Sequence, residues 1–174
     1  MATEELALTI LSRPDAHEAF EAVMMAHERM VVGTAYRLLG RAEDAQDAAQ
    51  EVFLRLFKNL DRIAGDPKPW LYRVTVNVCN DYFRRKTAVA EPDERQPDPS
   101  PDPERIVTME ERKRLLLEGL QTLPERERTA VVLREFEGLS TRQVAEILGV
   151  EEVTVRSQIS VARVKLAKYV RSRK

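Results

Sequence analysis

An acidic, proline-rich stretch at residues 88–105, AVAEPDERQPDPSPDPER, holds five of the chain's nine prolines. Each proline removes a backbone N–H donor and disfavours helix in the residue before it. Between 87 and 104 there are six acidic residues and one arginine, so like charges repel and extend the stretch. It offers no apolar side chain between Ala90 and Ile106 for a core. The sequence therefore predicts two folded units, 1–87 and 106–174, joined by a flexible linker at 88–105.

The composition favours an all-α fold in both units. Hydrophobic residues make up 43% of the 174 residues, enough for a core, whereas aromatic residues make up only 6%. The apolar/polar alternation typical of strands is scarce, and apolar residues recur instead at helical spacing. In the first unit we expect a helix over 15–39 with Asp15 as its N-cap, a second over 45–60 and a third over 69–86.

The second unit has clear helix start and stop signals. Pro124 suits a first helical turn, Ser140 is a good N-cap, and Gly149 suits the turn after a helix. Four shorter helices are predicted, at 104–122, 124–138, 141–148 and 152–171.

Several classes of protein are excluded by what the chain lacks. Its one cysteine, Cys79, and two histidines, His17 and His27, rule out a disulfide framework and a four-ligand Cys/His zinc site. No Ser/His/Asp set, paired-carboxylate site or glycine-rich phosphate loop can be assembled, so we expect no enzyme, no cofactor and no metal. No apolar run approaches a membrane span, and Glu4 and Glu5 are unlike a signal peptide. We expect a cytoplasmic protein without membrane insertion.

The segment 141–160 has the spacing of a helix-turn-helix. A small residue, Ala145, sits where two helices would cross; Gly149 follows four positions later for the turn; Val155 follows six later to pin the second helix. Residues 150–174 carry seven basic and two acidic side chains. Side chains able to bond base edges or phosphates on the second helix are Thr154, Arg156, Ser157, Gln158, Ser160, Arg163 and Lys165. The pattern favours DNA binding over the alternative, a helical hairpin with a solvated basic face.

Three segments in order resemble sigma factors of the extracytoplasmic-function (ECF) type, small two-domain relatives of sigma-70. The segment 47–60, DAAQEVFLRLFKNL, is similar to region 2.2, and 69–86, PWLYRVTVNVCNDYFRRK, is similar to regions 2.3 and 2.4. The segment 123–166 is similar to region 4 with its helix-turn-helix. The resemblance implies a region 2 bundle of three to four helices, a linker and a four-helix region 4 domain.

The resemblance also implies roles and partners, namely bacterial core RNA polymerase and promoter DNA. The positions that match the polymerase-docking face of region 2.2 are Asp47, Gln50, Glu51, Arg55 and Lys58. The positions that match the surface reading the melted −10 element, with one base flipped out, are Asp66, Lys68, Trp70, Arg73, Asn77, Asp81 and Arg84. The helix-turn-helix would read the −35 element as duplex, and the acidic linker would run through the polymerase towards the RNA path. Regulation by an anti-sigma factor is common in this family.

Two departures from the family pattern bear on DNA reading. Asp81 replaces the commoner neutral or basic residue. Gln158, Ser160 and Val161 stand where many relatives have arginine-rich runs, and a Gln that reaches a base edge favours adenine. An alternative function is a stand-alone helix-turn-helix regulator whose first unit senses or dimerises. A helical enzyme is a further alternative, which the lack of a catalytic set disfavours.

Overall fold

The computed structural model describes residues 14–89 and 108–173, and every regular element in those two ranges is helical. The α-helices are α1 Pro14–Leu39, α2 Ala42–Asn59, α3 Lys68–Val89, α4 Met109–Gln121, α5 Glu125–Val131, α6 Thr141–Leu148 and α7 Glu152–Arg171. A 3-10 turn, Leu60–Arg62, follows α2, and a π-helical stretch, Val132–Phe136, continues α5. The predicted all-α fold is confirmed.

The helices α1 to α3 pack as a bundle around aliphatic side chains. Val31 of α1, Val52 and Leu56 of α2, and Leu71 of α3 are fully buried. Along each helix the buried apolar residues recur at three- and four-residue spacing, so each helix turns one apolar stripe inward. The opposite sides of α2 and α3 are left on the surface.

A charged cluster joins the start of α2 to the end of α3. Asp44 lies on the polar side of α2 by sequence pattern, yet it is 8% exposed. It accepts hydrogen bonds from Lys86 Nζ at 2.7 Å and Tyr82 Oη at 3.0 Å. Burial would raise the pKa of Asp44, but these two donors outweigh it and lower the pKa below its ordinary value. The contact anchors α3, which continues to Val89, two residues into the stretch predicted as linker.

Five predicted helix starts are shifted. The helix predicted from 45 begins at Ala42, and the one predicted from 69 begins at Lys68. Asp15 lies inside the first turn of α1 and is not its N-cap. The helix predicted from 104 begins at Met109, because Thr108 and Glu111 form a capping box; residues 104–107 lie outside the described ranges. Pro124 is the N-cap of α5 and stands just before its first turn.

The helices α4 to α7 enclose a second core. Leu120, Leu133, Val144 and Val155 from four different elements are each fully buried. The core fixes α7 across α5 and α6 and leaves the other side of α7 on the surface.

The two units contact each other through a carboxylate. Glu137 Oε1 accepts from Arg37 Nη1 of α1 at 2.8 Å, and its Oε2 accepts from Tyr72 Oη of α3 at 3.2 Å. Burial and the Glu137 charge raise the pKa of Tyr72. Gln121 Nε2 donates to the Arg37 carbonyl at 3.0 Å. Independent folding of the two units stays a prediction.

Candidate polymerase and nucleic-acid interfaces

The exposed face of α2 brings together the residues predicted to dock on the polymerase. Asp47, Gln50, Glu51 and Lys58 are exposed, and Arg55 is half-buried. Glu51 accepts from Arg55 Nε at 2.8 Å, one helical turn away. The five predicted side chains therefore form one continuous polar face.

Sequence reasoning missed the apolar member of this face. Leu54 is 42% exposed and lies at i+3 from Glu51 and i−4 from Lys58. The signal was available, because Leu54 falls outside the apolar stripe that Val52, Phe53 and Leu56 turn inward. Leu54 therefore adds one exposed apolar side chain to this otherwise polar face.

A second set of predicted residues forms a stripe along α3. Trp70, Arg73, Asn77, Asp81 and Arg84 follow each other at three- and four-residue spacing, so they share one side of the helix. Arg73, Asn77 and Arg84 are exposed, and Trp70 and Asp81 are half-buried. Trp70 packs against the core while part of its side chain stays accessible.

The loop before α3 continues this stripe. Asp66 Oδ1 accepts from the Lys68 backbone N–H at 2.9 Å and so caps the start of α3. Both residues are exposed. Asp66 is therefore committed to the backbone, whereas the Lys68 ammonium group extends from the first turn towards solvent.

The far end of the α3 stripe contacts the second unit. Arg84 donates to both carboxylate oxygens of Glu125, with Nε at 3.1 Å and Nη2 at 2.8 Å. Beside it, the Arg128 guanidinium lies 4.2 Å from the centroid of the Phe83 ring. Arg128 is 2% exposed, and burial lowers its pKa. A predicted DNA contact, Arg84, is thus engaged by the other unit.

The helix-turn-helix has the three features that its spacing predicts. Ala145 is buried where α6 meets α7, Gly149 has φ +65° and Val155 is fully buried. Ser140 and Gln143 form a capping box at the start of α6. The Val150 N–H returns to the Ala145 carbonyl at 3.1 Å, which closes the turn.

The basic side chains predicted on α7 are exposed but paired. Arg156 donates to Glu152 at 2.9 Å, Arg163 to Glu135, and Lys165 to Glu127 at 2.8 Å. Exposed ion pairs of this kind are weak and can be exchanged for phosphate. Thr154 and Gln158 are half-buried, and Ser157 and Ser160 are exposed.

The described part of the chain contains neither a cluster of metal-ligating side chains nor a membrane-spanning helix. Within residues 14–89 and 108–173, no three His, Cys, Asp or Glu side chains come together as a metal site would need. None of the helices described is long and apolar enough to cross a membrane. Cys79 is buried, and burial raises the pKa of its thiol to about 12.

Family profiles match both units. Residues 23–89 match sigma-70 region 2, and residues 113–166 match sigma-70 region 4. The surfaces on α2 and α3 fall in the first match and the helix-turn-helix in the second. The fold and its surfaces thus define a sigma-70-type protein with regions 2 and 4.

Similar curated proteins are sigma factors. The chain is 35% identical to the ECF RNA polymerase sigma factor SigE of Mycolicibacterium smegmatis over 89% of this chain and 63% of that protein. It is 31% identical to the RNA polymerase sigma-H factor of Pseudomonas aeruginosa, over 83% and 82%. It is 29% identical to the ECF RNA polymerase sigma-E factor of Escherichia coli K12, over 84% and 83%.

Solved structures share the fold. CnrH, solved in complex with the cytosolic domain of CnrY, superposes with a TM-score of 0.68 at 22% identity over 97% of each chain. The sigma factor RpoE of Bartonella quintana, solved with the anti-sigma factor NepR, gives 0.69 at 18% identity over 90% of this chain and 99% of that one. The chain belongs to the ECF RNA polymerase sigma factors of the sigma-70 family, whose members act in transcription initiation.

Proposed function

We propose that this chain directs core RNA polymerase to promoters through three surfaces. The outward face of α2 docks on the polymerase, the α3 stripe reads the melted −10 element, and α6 with α7 reads the −35 element as duplex. The observation that carries this proposal is that the three surfaces lie on different helices. Each lies on the exposed side of a helix whose other side is fixed in a core.

The chemistry of the α3 stripe suits a single strand. The exposed amide of Asn77 can donate to and accept from a flipped base edge, and Trp70 can stack on a base. Arg73 and Lys68 can hold backbone phosphates. Asp81 lies 3.9 Å from Arg84, so it can orient that guanidinium or accept from an exocyclic amine.

Use of the whole α3 stripe requires that Arg84 leave Glu125. We propose that docking on the polymerase separates the units and frees Arg84 for the −10 strand. An anti-sigma factor that holds the units together would then keep this surface closed. The proposal therefore includes regulation by an anti-sigma factor. It also places the chain in the cytoplasm, where promoters and polymerase meet.

Co-purification with core RNA polymerase tests the proposal. The full chain should form a complex with purified bacterial core enzyme that survives gel filtration. The complex should bind promoter DNA more tightly than the chain alone does. Binding of DNA by the chain, with no complex with core enzyme, would favour the stand-alone regulator instead.

A further inference from the structure

The outward face of α7 is apolar along its centre. Val153 is 60% exposed, Val161 42% and Val164 67%, on the side of α7 opposite the buried Val155 and Ile159. Ser157 and Ser160 lie between the valines and are exposed. Between positions 153 and 164 this central strip therefore carries no charge.

Three aligned valines are unusual on the surface of a helix. Valine is a poor helix former because the preceding turn restricts its χ1 angle, and exposure gives it no compensating burial. Scattered exposed apolar residues need no explanation, but an aligned set marks an interaction surface.

Cations border this strip on both sides. Arg156 and Arg163 lie along one edge, at i and i+7, and Lys165 lies along the other. Lys168, one turn beyond Val164, ends the strip with a positive charge. An apolar strip between two basic edges matches a major groove between two phosphate backbones. An apolar protein helix would complement the strip but not its edges. The charge pattern thus favours duplex DNA as the occupant.

The major groove offers one apolar group, the C5-methyl of thymine. Val153 is the second residue of α7, and the first turn of a recognition helix faces the groove floor. Val164 lies eleven residues further on, about 16 Å along the helix axis, where the helix leaves the floor. The two valines therefore provide a matched pair, one placed to touch bases and one not.

We propose that Val153 reads the methyl group of a thymine in the −35 element. This inference rests on the proposed function and adds a specificity determinant that hydrogen-bonding side chains do not supply. The contact is neutral, so it releases no counterion. It discriminates thymine from cytosine, whose C5 carries no methyl, at a cost of about fourfold in affinity for one lost methyl contact.

Replacement of thymine by uracil isolates this contact, because it removes the methyl and leaves every hydrogen-bonding group in place. The full chain, assembled with core RNA polymerase, is titrated with the −35 promoter DNA that it selects from a random library. Each thymine of the −35 element is changed to uracil in turn. One position should weaken binding by about fourfold.

Two valine variants decide which side chain is responsible. Val153→Ala should weaken binding to the thymine duplex by a similar factor and abolish the effect of uracil at that one position. Val164→Ala should keep the uracil effect in full. The slope of affinity against salt should be the same for Val153→Ala and the parent chain. Alanine is the better helix former, and circular dichroism checks that both variants stay folded.

Different results would overturn the inference in different ways. A uracil effect that persists in Val153→Ala, or no uracil effect at any position, removes Val153 from base reading. Self-association of the chain that Val153→Ala and Val164→Ala both weaken would assign the strip to a second copy. If no complex with core enzyme forms at all, the proposed function fails first.

Discussion

Arg156 lies directly after the fully buried Val155, in the part of α7 that a helix-turn-helix presents to the groove floor. A bidentate contact between arginine and guanine is worth about 1–3 kcal/mol of discrimination. Arg156→Ala should therefore weaken binding mainly to the cognate −35 sequence and relax preference at one base pair. Affinities for a panel of single-base −35 variants measure this.

Lys168→Ala is the control for Arg156→Ala. Lys168 lies three turns further along α7, so its loss should weaken all sequences alike and lower the salt dependence. Equal weakening of every duplex by Arg156→Ala would assign Arg156 to phosphate instead.

At the residue scale, the exposure of a side chain could be predicted from the sequence, whereas its contacts with other helices could not. Helical periodicity alone places Asn77 and Arg73 on the outer side of α3. The contact of Arg84 with Glu125 joins residues 41 positions apart, and that of Asp44 with Tyr82 joins residues 38 apart. Such pairs depend on how the helices pack against each other, and the residues around each partner in the sequence do not reveal that packing.

At the element scale, the face of α2 can be tested as a unit. Glu51→Lys, and separately Asp47→Lys, should weaken binding to core RNA polymerase at least about tenfold, because each change reverses a charge on the proposed docking face. The 2.8 Å pair of Glu51 with Arg55 is exposed, so its loss costs stability only about 0.5 kcal/mol. Pull-down with core enzyme measures the binding.

Glu28→Lys makes the same charge change on the exposed surface of α1 and should leave binding unchanged. Circular dichroism confirms the fold of each variant. Full binding by both α2 variants would take this face out of the docking site.

The turn between α6 and α7 requires a residue with a left-handed backbone conformation. Gly149 has φ +65°, and a Cβ there would meet no other atom within 4 Å, so any cost of substitution is in the backbone. Gly149→Ala should lower the free energy of unfolding by about 1–2 kcal/mol. Gly149→Asn should lose less, since asparagine tolerates this conformation. Urea denaturation compares them; equal stability of Gly149→Ala and the parent would contradict the account.

Element identity could be predicted better than element ends. The α6 capping box and the glycine turn lie within a few residues, so the boundaries of α6 are local and agree with prediction. The end of α3 depends on Lys86 reaching Asp44 of another helix. The start of α4 depends on Thr108 and Glu111, which the stripe of apolar residues does not reveal.

At the scale of the whole molecule, Glu137 holds the two units together. Its side chain is 9% exposed and accepts from Arg37 and Tyr72, so Glu137→Lys would set a cation against Arg37. Cys79 lies near Arg128 of the second unit and is 1% exposed. Separation of the units should expose its thiol and speed alkylation roughly tenfold or more.

The alkylation rate of Cys79 in the free chain measures this separation. Glu146→Lys, on the exposed side of α6 and paired with Arg142 of its own helix, is the matched control. An unchanged rate in Glu137→Lys would show that the contact contributes nothing to the closed arrangement.

Promoter-dependent transcription by purified components tests the central claim most directly. Core RNA polymerase, the full chain and a plasmid library with random −35 and −10 segments are incubated with nucleotides, and the transcripts are sequenced. The account predicts transcripts only when the chain is present, with start sites downstream of one shared −35 and one shared −10 motif. Transcripts that do not depend on the chain, or start sites with no shared motif, would contradict it.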